Sequence, residues 1–182
     1  MVNIIKKYFG VDIKKCEFLG KGREGKVYKT DDNYVIKLFK NKRSCIDEYN
    51  ILKRMEGSKY FPKTLKRKGK VLMREYVYGI PLKEYIRENG MPREISYNLV
   101  GLLEEFKNSG FTRIDMSIRH IYVQEDYRLK IIDPRKAYIK VEKFPRILLR
   151  ELEEENVLDE FIKAALDIKP EVVTRWVKKL NS

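Results

Sequence analysis

Hydrophobic positions cluster in short runs between turn residues early in the chain and take up a helical period later. Cys16-Glu17-Phe18-Leu19, Lys26-Val27-Tyr28-Lys29 and Tyr34-Val35-Ile36-Lys37-Leu38-Phe39 are short runs rich in β-branched and aromatic residues. Gly, Asp and Asn bound them, and they predict three strands. Asp31-Asp32-Asn33 suits the turn between the last two. From 43 to 56 the pattern predicts a helix, with Cys45, Tyr49 and Leu52 on one face and Gly57-Ser58 as its stop. Strand-like runs follow around 64–66 and 71–76, and Gly79-Ile80-Pro81 breaks the pattern. Helices are predicted over 82–88, 95–108, 145–156, 158–166 and 170–180, interrupted by a hairpin of 121–124 and 129–132 that turns at 125–128. Residues 1–10 read as a short amphipathic helix.

Strands with one helix, then helices with one hairpin, is the segregated order of an α+β protein. The expected architecture is a single domain of two lobes: a β-rich N-lobe of about 1–77, a hinge at about 75–81, and a reduced, mainly helical C-lobe of about 82–182.

Composition narrows the class. Hydrophobic residues at 43% and charged residues at 37% read as a folded chain rather than a disordered one. No apolar run approaches the roughly 20 residues of a membrane span, and the first residues carry no signal-peptide core. A cytoplasmic protein without membrane contact is expected. The two cysteines, Cys16 and Cys45, form no metal motif and are expected reduced. The net charge of +13 favours a polyanionic partner, either nucleic acid or an acidic protein, against the plainer reading of a lysine-rich surface.

Three constellations carry candidate chemistry. Gly20-Lys21-Gly22-Arg23-Glu24-Gly25-Lys26-Val27 has the form G-x-G-x-x-G-x-V between two strands. Glycines there let backbone N–H groups approach phosphates without side-chain interference. Lys37 follows Val35-Ile36 in a strand whose apolar neighbours imply burial, and a lysine so placed neutralises and positions phosphate. Glu48 has Cys45, Ile51 and Leu52 one turn to either side, so its carboxylate borders the apolar face and needs a cation, for which Lys37 is the natural partner. Asp47 faces Arg43, Ser44 and Asn50 and is expected in solvent. The third constellation is Arg113-Ile114-Asp115-Met116-Ser117-Ile118-Arg119-His120 and, beyond the hairpin, Ile131-Ile132-Asp133-Pro134-Arg135. A hairpin brings its ends together, so Asp115 and Asp133 can serve one site. One carboxylate then ligates magnesium while the other orients an attacking hydroxyl. The lone Trp176, near Val172, Val173 and Leu180, reads as helix packing.

In this order the motifs resemble those of the protein-kinase superfamily, over about 18–137. The resemblance implies a phosphate loop built from Gly20, Lys21, Gly22, Gly25 and Val27. It implies a nucleotide-positioning Lys37 held by Glu48, and a hinge in Met73-Arg74-Glu75-Tyr76-Val77 where the backbones of Glu75 and Val77 read adenine. It makes Asp115 the catalytic aspartate and Asp133 the metal ligand, with ATP and magnesium as cofactors. The chain departs from the family pattern in several places. Arg113-Ile114 precedes the catalytic aspartate in place of His-Arg, and Ser117 stands for the lysine two residues after it. His120 takes the place of the second metal-ligand asparagine, and Pro134-Arg135 replaces Phe-Gly. There is no Ala-Pro-Glu motif and no room for a long activation segment, so the platform that holds peptide substrates is expected to be absent.

The pattern is similar to that of the small RIO-type and lipopolysaccharide-kinase-type members. The implied function is ATP- and magnesium-dependent transfer of the γ-phosphoryl group to a hydroxyl acceptor, a Ser or Thr of a protein or a small molecule, with Arg113, Ser117 and Arg119 on the acceptor side. Two other readings stand beside it: a pseudokinase that binds nucleotide without turnover, motivated by His120 and Pro134-Arg135, and an RNA- or ribosome-associated factor that uses its basic surface.

Overall fold

The computed structural model describes residues 7–134 and 141–180. The protein is α+β, and its chain divides into two compact units, Met1–Val77 and Tyr78–Ser182.

The first unit opens with a hairpin of β1 (Lys7–Tyr8) and β2 (Val11–Asp12). This corrects the helix read over 1–10, whose first six positions lie outside the described residues. Phe9 and Gly10 both adopt positive φ, 55° and 88°, the conformation a tight two-residue hairpin turn demands and a helix forbids. A five-stranded antiparallel sheet follows, in the order β3-β4-β5-β7-β6, from β3 (Glu17–Lys21), β4 (Gly25–Lys29), β5 (Tyr34–Phe39), β6 (Thr64–Lys68) and β7 (Val71–Glu75). Helix α1 (Lys42–Arg54) lies between β5 and β6 in the chain. Asn41 starts it by accepting a hydrogen bond from the Ser44 N–H at 2.8 Å. Its buried stripe is Cys45, Glu48, Ile51 and Leu52, three apolar residues and one acid. Val35, Ile36, Phe39, Leu52, Phe61 and Leu72 are among the core of this unit. Each such side chain contributes about 1.5–3 kcal/mol on burial. Asp47 is half-buried rather than solvated, and the exposed Arg43 guanidinium pairs with it at 3.0 Å.

The second unit contains a three-stranded sheet in the order β10-β9-β8, from β8 (Ile80–Pro81), β9 (Ile121–Val123) and β10 (Leu129–Ile131). The expected break at Gly79-Ile80-Pro81 is therefore a short edge strand, with Ile80 opposite Val123 and Pro81 opposite Tyr122. Proline is tolerated there because an edge position needs no ladder donor. Gly79 has φ 116°, and a Cβ on it would lie 2.3 Å from the Val123 carbonyl oxygen, so only glycine lets the strand dock. The helices are α2 (Leu82–Asn89), α3 (Arg93–Asn108), α4 (Arg146–Glu154), α5 (Leu158–Ile168) and α6 (Pro170–Leu180). Helix α3 buries Ile95, Leu99, Leu102, Leu103 and Phe106 at helical spacing. Trp176 of α6 stacks on Phe161 of α5, centroids 6.4 Å apart, as core. Just beyond α4, Glu155 accepts from Lys83 at 2.8 Å and Arg87 at 2.7 Å, which ties α2 to the end of α4. Those cations hold its carboxyl down at about 2. Among the described residues, no helix is long and apolar enough to cross a membrane.

Candidate functional site

In the first unit the register sets one row of residues across the sheet. Gly20 of β3 faces Val27 of β4, Val27 faces Lys37 of β5, and Lys37 faces Leu72 of β7. Residues directly opposite share a face, so the first glycine, the motif valine and the strand lysine line up side by side. The Lys37 Nζ lies 2.6 Å from the Glu48 Oε2, and Glu48 is wholly buried. The ammonium also sits 4.7 Å over the ring of Phe39, two residues along the same strand and so on the same face. Cys45, one turn before Glu48, has its thiol pushed up chiefly by burial, which leaves it inert.

The glycines have separable reasons. Gly22 N–H donates to the Gly25 carbonyl at 2.9 Å, which closes a tight turn between β3 and β4. A Cβ on Gly25 would lie 1.9 Å from the Leu38 carbonyl oxygen, so the sheet itself requires that glycine. Gly22 has no such neighbour within 4 Å, and its φ lies outside the left-handed range. Gly20 is equally open. Lys21 is exposed at the end of β3.

At the end of the unit, the Glu75 N–H donates to the Lys63 carbonyl at 2.8 Å, and the Glu75 carbonyl accepts from the buried Arg74 guanidinium at 2.8 Å. Sequence reasoning did not assign that role to Arg74. Val77 is buried, and its N–H meets no acceptor among the described residues.

In the second unit, Asp115 has a side chain only 3% exposed. Its Oδ1 accepts the backbone N–H groups of Ile147 and Leu148, at 2.8 and 3.3 Å, in the first turn of α4. Its Oδ2 lies 3.8 Å from the Arg113 guanidinium. Burial raises the Asp115 carboxyl above its usual range, and the two backbone hydrogen bonds and Arg113 oppose that rise. Glu151 of α4 holds the next residues, accepting from the Ser117 hydroxyl at 3.0 Å and the Ile118 N–H at 2.8 Å. Glu151 was missed in the sequence, although its place among buried Leu148 and Leu152 is the signal that singled out Glu48.

His120 ends a single 3-10 turn, Ile118–His120, and β9 begins directly after it. The β9–β10 register, Ile121 opposite Ile131, continues outward through an Ile132 N–H to His120 carbonyl bond of 2.8 Å. His120 therefore stands beside Ile132, one position from Asp133. Asp133 is half-buried and has φ 56°, a left-handed backbone uncommon outside glycine that fixes where its carboxylate starts. Arg135 and the rest of 135–140 lie outside the described residues.

Among the described residues, no three His, Cys, Asp or Glu side chains gather into a cage that could hold a metal. A nucleotide-bound magnesium does not require one. It takes one or two carboxylates, keeps several waters and shares the phosphates. Asp133 meets that requirement, whereas the His120 imidazole is the poorer donor for so hard a cation. The open glycines and the buried ammonium in the first unit suit an anionic phosphate chain. The chain matches no protein-family model and no curated protein.

Proposed function

We propose that the protein is an atypical, kinase-like phosphotransferase that uses ATP and magnesium to phosphorylate a hydroxyl acceptor. The observation that carries this reading is the buried Lys37–Glu48 pair at 2.6 Å, in one row with Gly20 and Val27 of the glycine motif. Burying two charges is expensive, and a well-packed apolar pair serves a sheet and helix at least as well. An ammonium kept at the face shared with an open glycine turn has a use in binding phosphate.

In this reading Lys37 positions the phosphates, Glu48 fixes the lysine, and the glycine-loop backbone donates to phosphate oxygens. Bound magnesium would neutralise charge on the phosphates, and Asp133 would hold it. Asp115 presents Oδ2 to the acceptor hydroxyl while Oδ1 keeps it on α4. Arg113, Ser117 and Arg119 shape the acceptor side. A second reading, nucleotide binding without turnover, draws on the burial of Asp115 and its engagement with α4.

The test is magnesium-dependent ADP production, and labelling from ATP carrying a labelled γ-phosphate, by the wild type and by Asp133→Ala and Asp133→Asn. Turnover lost in both variants is the expected result. ATP bound by the wild type without turnover under any acceptor or metal condition selects the second reading. Wild-type turnover retained in Asp133→Ala discards the metal assignment.

A further inference from the structure

The surplus positive charge belongs almost entirely to one unit. Met1–Val77 holds 21 Lys and Arg against 9 Asp and Glu, a net +12, whereas Tyr78–Ser182 holds 19 against 18, a net +1. A lysine-rich composition alone spreads its charge over both units, so this asymmetry calls for a local cause.

Within the first unit the charge gathers at one end of the sheet. Register places Lys26, Leu38, Val71 and Lys68 in a single row across β4, β5, β7 and β6, with Lys21 of β3 beside Lys26. Beyond that row lie the β3–β4 turn, the β5–α1 junction and the β6–β7 turn. Three hydrogen bonds draw them together: Lys40 N–H to the Glu24 carbonyl at 2.7 Å, Phe39 N–H to the Lys70 carbonyl at 2.8 Å, and Lys70 Nζ to the Lys40 carbonyl at 2.9 Å. These turns add Arg23, Lys40, Lys42, Arg43 and Lys70. All eight basic residues of this rim are exposed, and its row spans about 19 Å at the spacing of adjacent strands.

Two of the eight serve the fold, Arg43 paired with Asp47 at 3.0 Å and Lys70 on the Lys40 carbonyl, but the arrangement as a whole works against it. The first turn of α1 contains no acid and begins Lys42-Arg43, the sign that opposes the helix dipole at its N-terminus. Like charges on neighbouring strands also repel, as Lys21 and Lys26 do. The chemistry of the rim then selects among polyanions. Six of its eight cations are lysines, a residue depleted in protein–protein interfaces and suited to phosphate as a point charge. The large exposed apolar side chains described in this unit, Phe18 and Leu19, lie on β3 outside the Lys26–Lys68 row, and the row's own Leu38 and Val71 are half-buried, so the row presents no fully exposed apolar anchor for a bilayer or a protein hot spot.

We propose that this basic rim of the first unit binds the phosphate backbone of a nucleic acid without reading its sequence. The proposal shares Lys21 and the β3–β4 turn with the ATP reading but needs neither Lys37 nor Asp133, and the rim lysines replaced below have no part in that reading. The experiment measures anisotropy of a fluorescent single-stranded oligouridylate 20-mer on the full chain between 50 and 300 mM salt. It compares the wild type with Lys40→Gln/Lys42→Gln/Lys68→Gln and with a control that removes the same charge from the second unit, Lys163→Gln/Lys178→Gln/Lys179→Gln. Removal of three phosphate contacts, at about 0.7 each, flattens the log–log salt slope by about 2 and weakens binding about 100-fold at 0.1 M salt. The control is expected to stay within about twofold of wild type, and a thermal melt of each variant verifies its fold. Equal losses in rim and control variants, no binding at 50 mM salt, or polyglutamate bound as tightly as the oligonucleotide would each overturn the proposal.

Discussion

The Lys37 ammonium and the Glu48 carboxylate meet at 2.6 Å in the interior of the first unit, eleven residues apart in the chain. The strand fixes one partner and the helix the other, so the contact also measures how firmly α1 is seated on the sheet. Lys37→Met leaves a buried carboxylate stripped of its ammonium and is expected to lower stability by about 3–5 kcal/mol. Lys37→Met/Glu48→Leu, which removes both charges, is expected to regain most of that loss. Urea unfolding of the two variants reads this directly, and equal losses would remove the electrostatic account.

The glycine turn offers a second test, because two of its glycines answer to different demands. Gly25→Ala drives a methyl group into the Leu38 carbonyl and is expected to lose about 1–3 kcal/mol or more. Gly22→Ala meets nothing and is expected to leave the melting temperature unchanged. If the turn cradles phosphate, the same Gly22→Ala raises the KM for ATP. A KM unmoved in a normally folded Gly22→Ala protein counts against the phosphate loop.

Asp115 carries a pH signature. Its folded carboxyl titrates above the ordinary value, so its protonated form favours the fold. That contribution is full below the unfolded value and is lost as pH rises through the folded one. Asp115→Asn, which keeps the oxygen that caps α4, is therefore expected to melt at or above wild type at pH 7, with the advantage fading near pH 3. Asp115→Ala loses the cap and is expected to drop by about 1 kcal/mol. Melting curves of the three proteins at both pH values decide it.

Glu155 shows the opposite sign. Its carboxyl is held at about 2, so its ties to Lys83 and Arg87 stabilise the fold above the ordinary carboxylate value and fade as pH falls from about 4.5 toward 2. Glu155→Gln is expected to be less stable than wild type at pH 7, with the difference shrinking steadily over that acid range. Paired urea titrations at pH 7 and pH 3 provide the measurement.

What could be read in advance followed from local pattern. Lys42–Arg54 announced itself by period and Tyr34–Phe39 by its β-branched and aromatic content, and the Lys37 partner of Glu48 followed from the cost of an unpaired acid beside an apolar face. The hairpin of Lys7–Tyr8 and Val11–Asp12 did not, because two residues per strand are too few to show alternation. Nor did the hold of Asp115 on Ile147 and Leu148, which joins positions 32 and 33 residues apart. No spacing rule reports a contact at that separation.

The anchoring of the 115–118 segment also bears on regulation. Asp115 grips the start of α4, and Glu151, one turn further along it, grips Ser117 and Ile118. Segment and helix are thereby riveted at two points and move as a single lever. An effector cannot retune this loop by itself; it must displace α4, and with it the Glu155 clasp on α2. Amide exchange at Ile118, Ile147 and Leu148 should accordingly rise and fall together, the mark of one cooperative opening rather than three private ones.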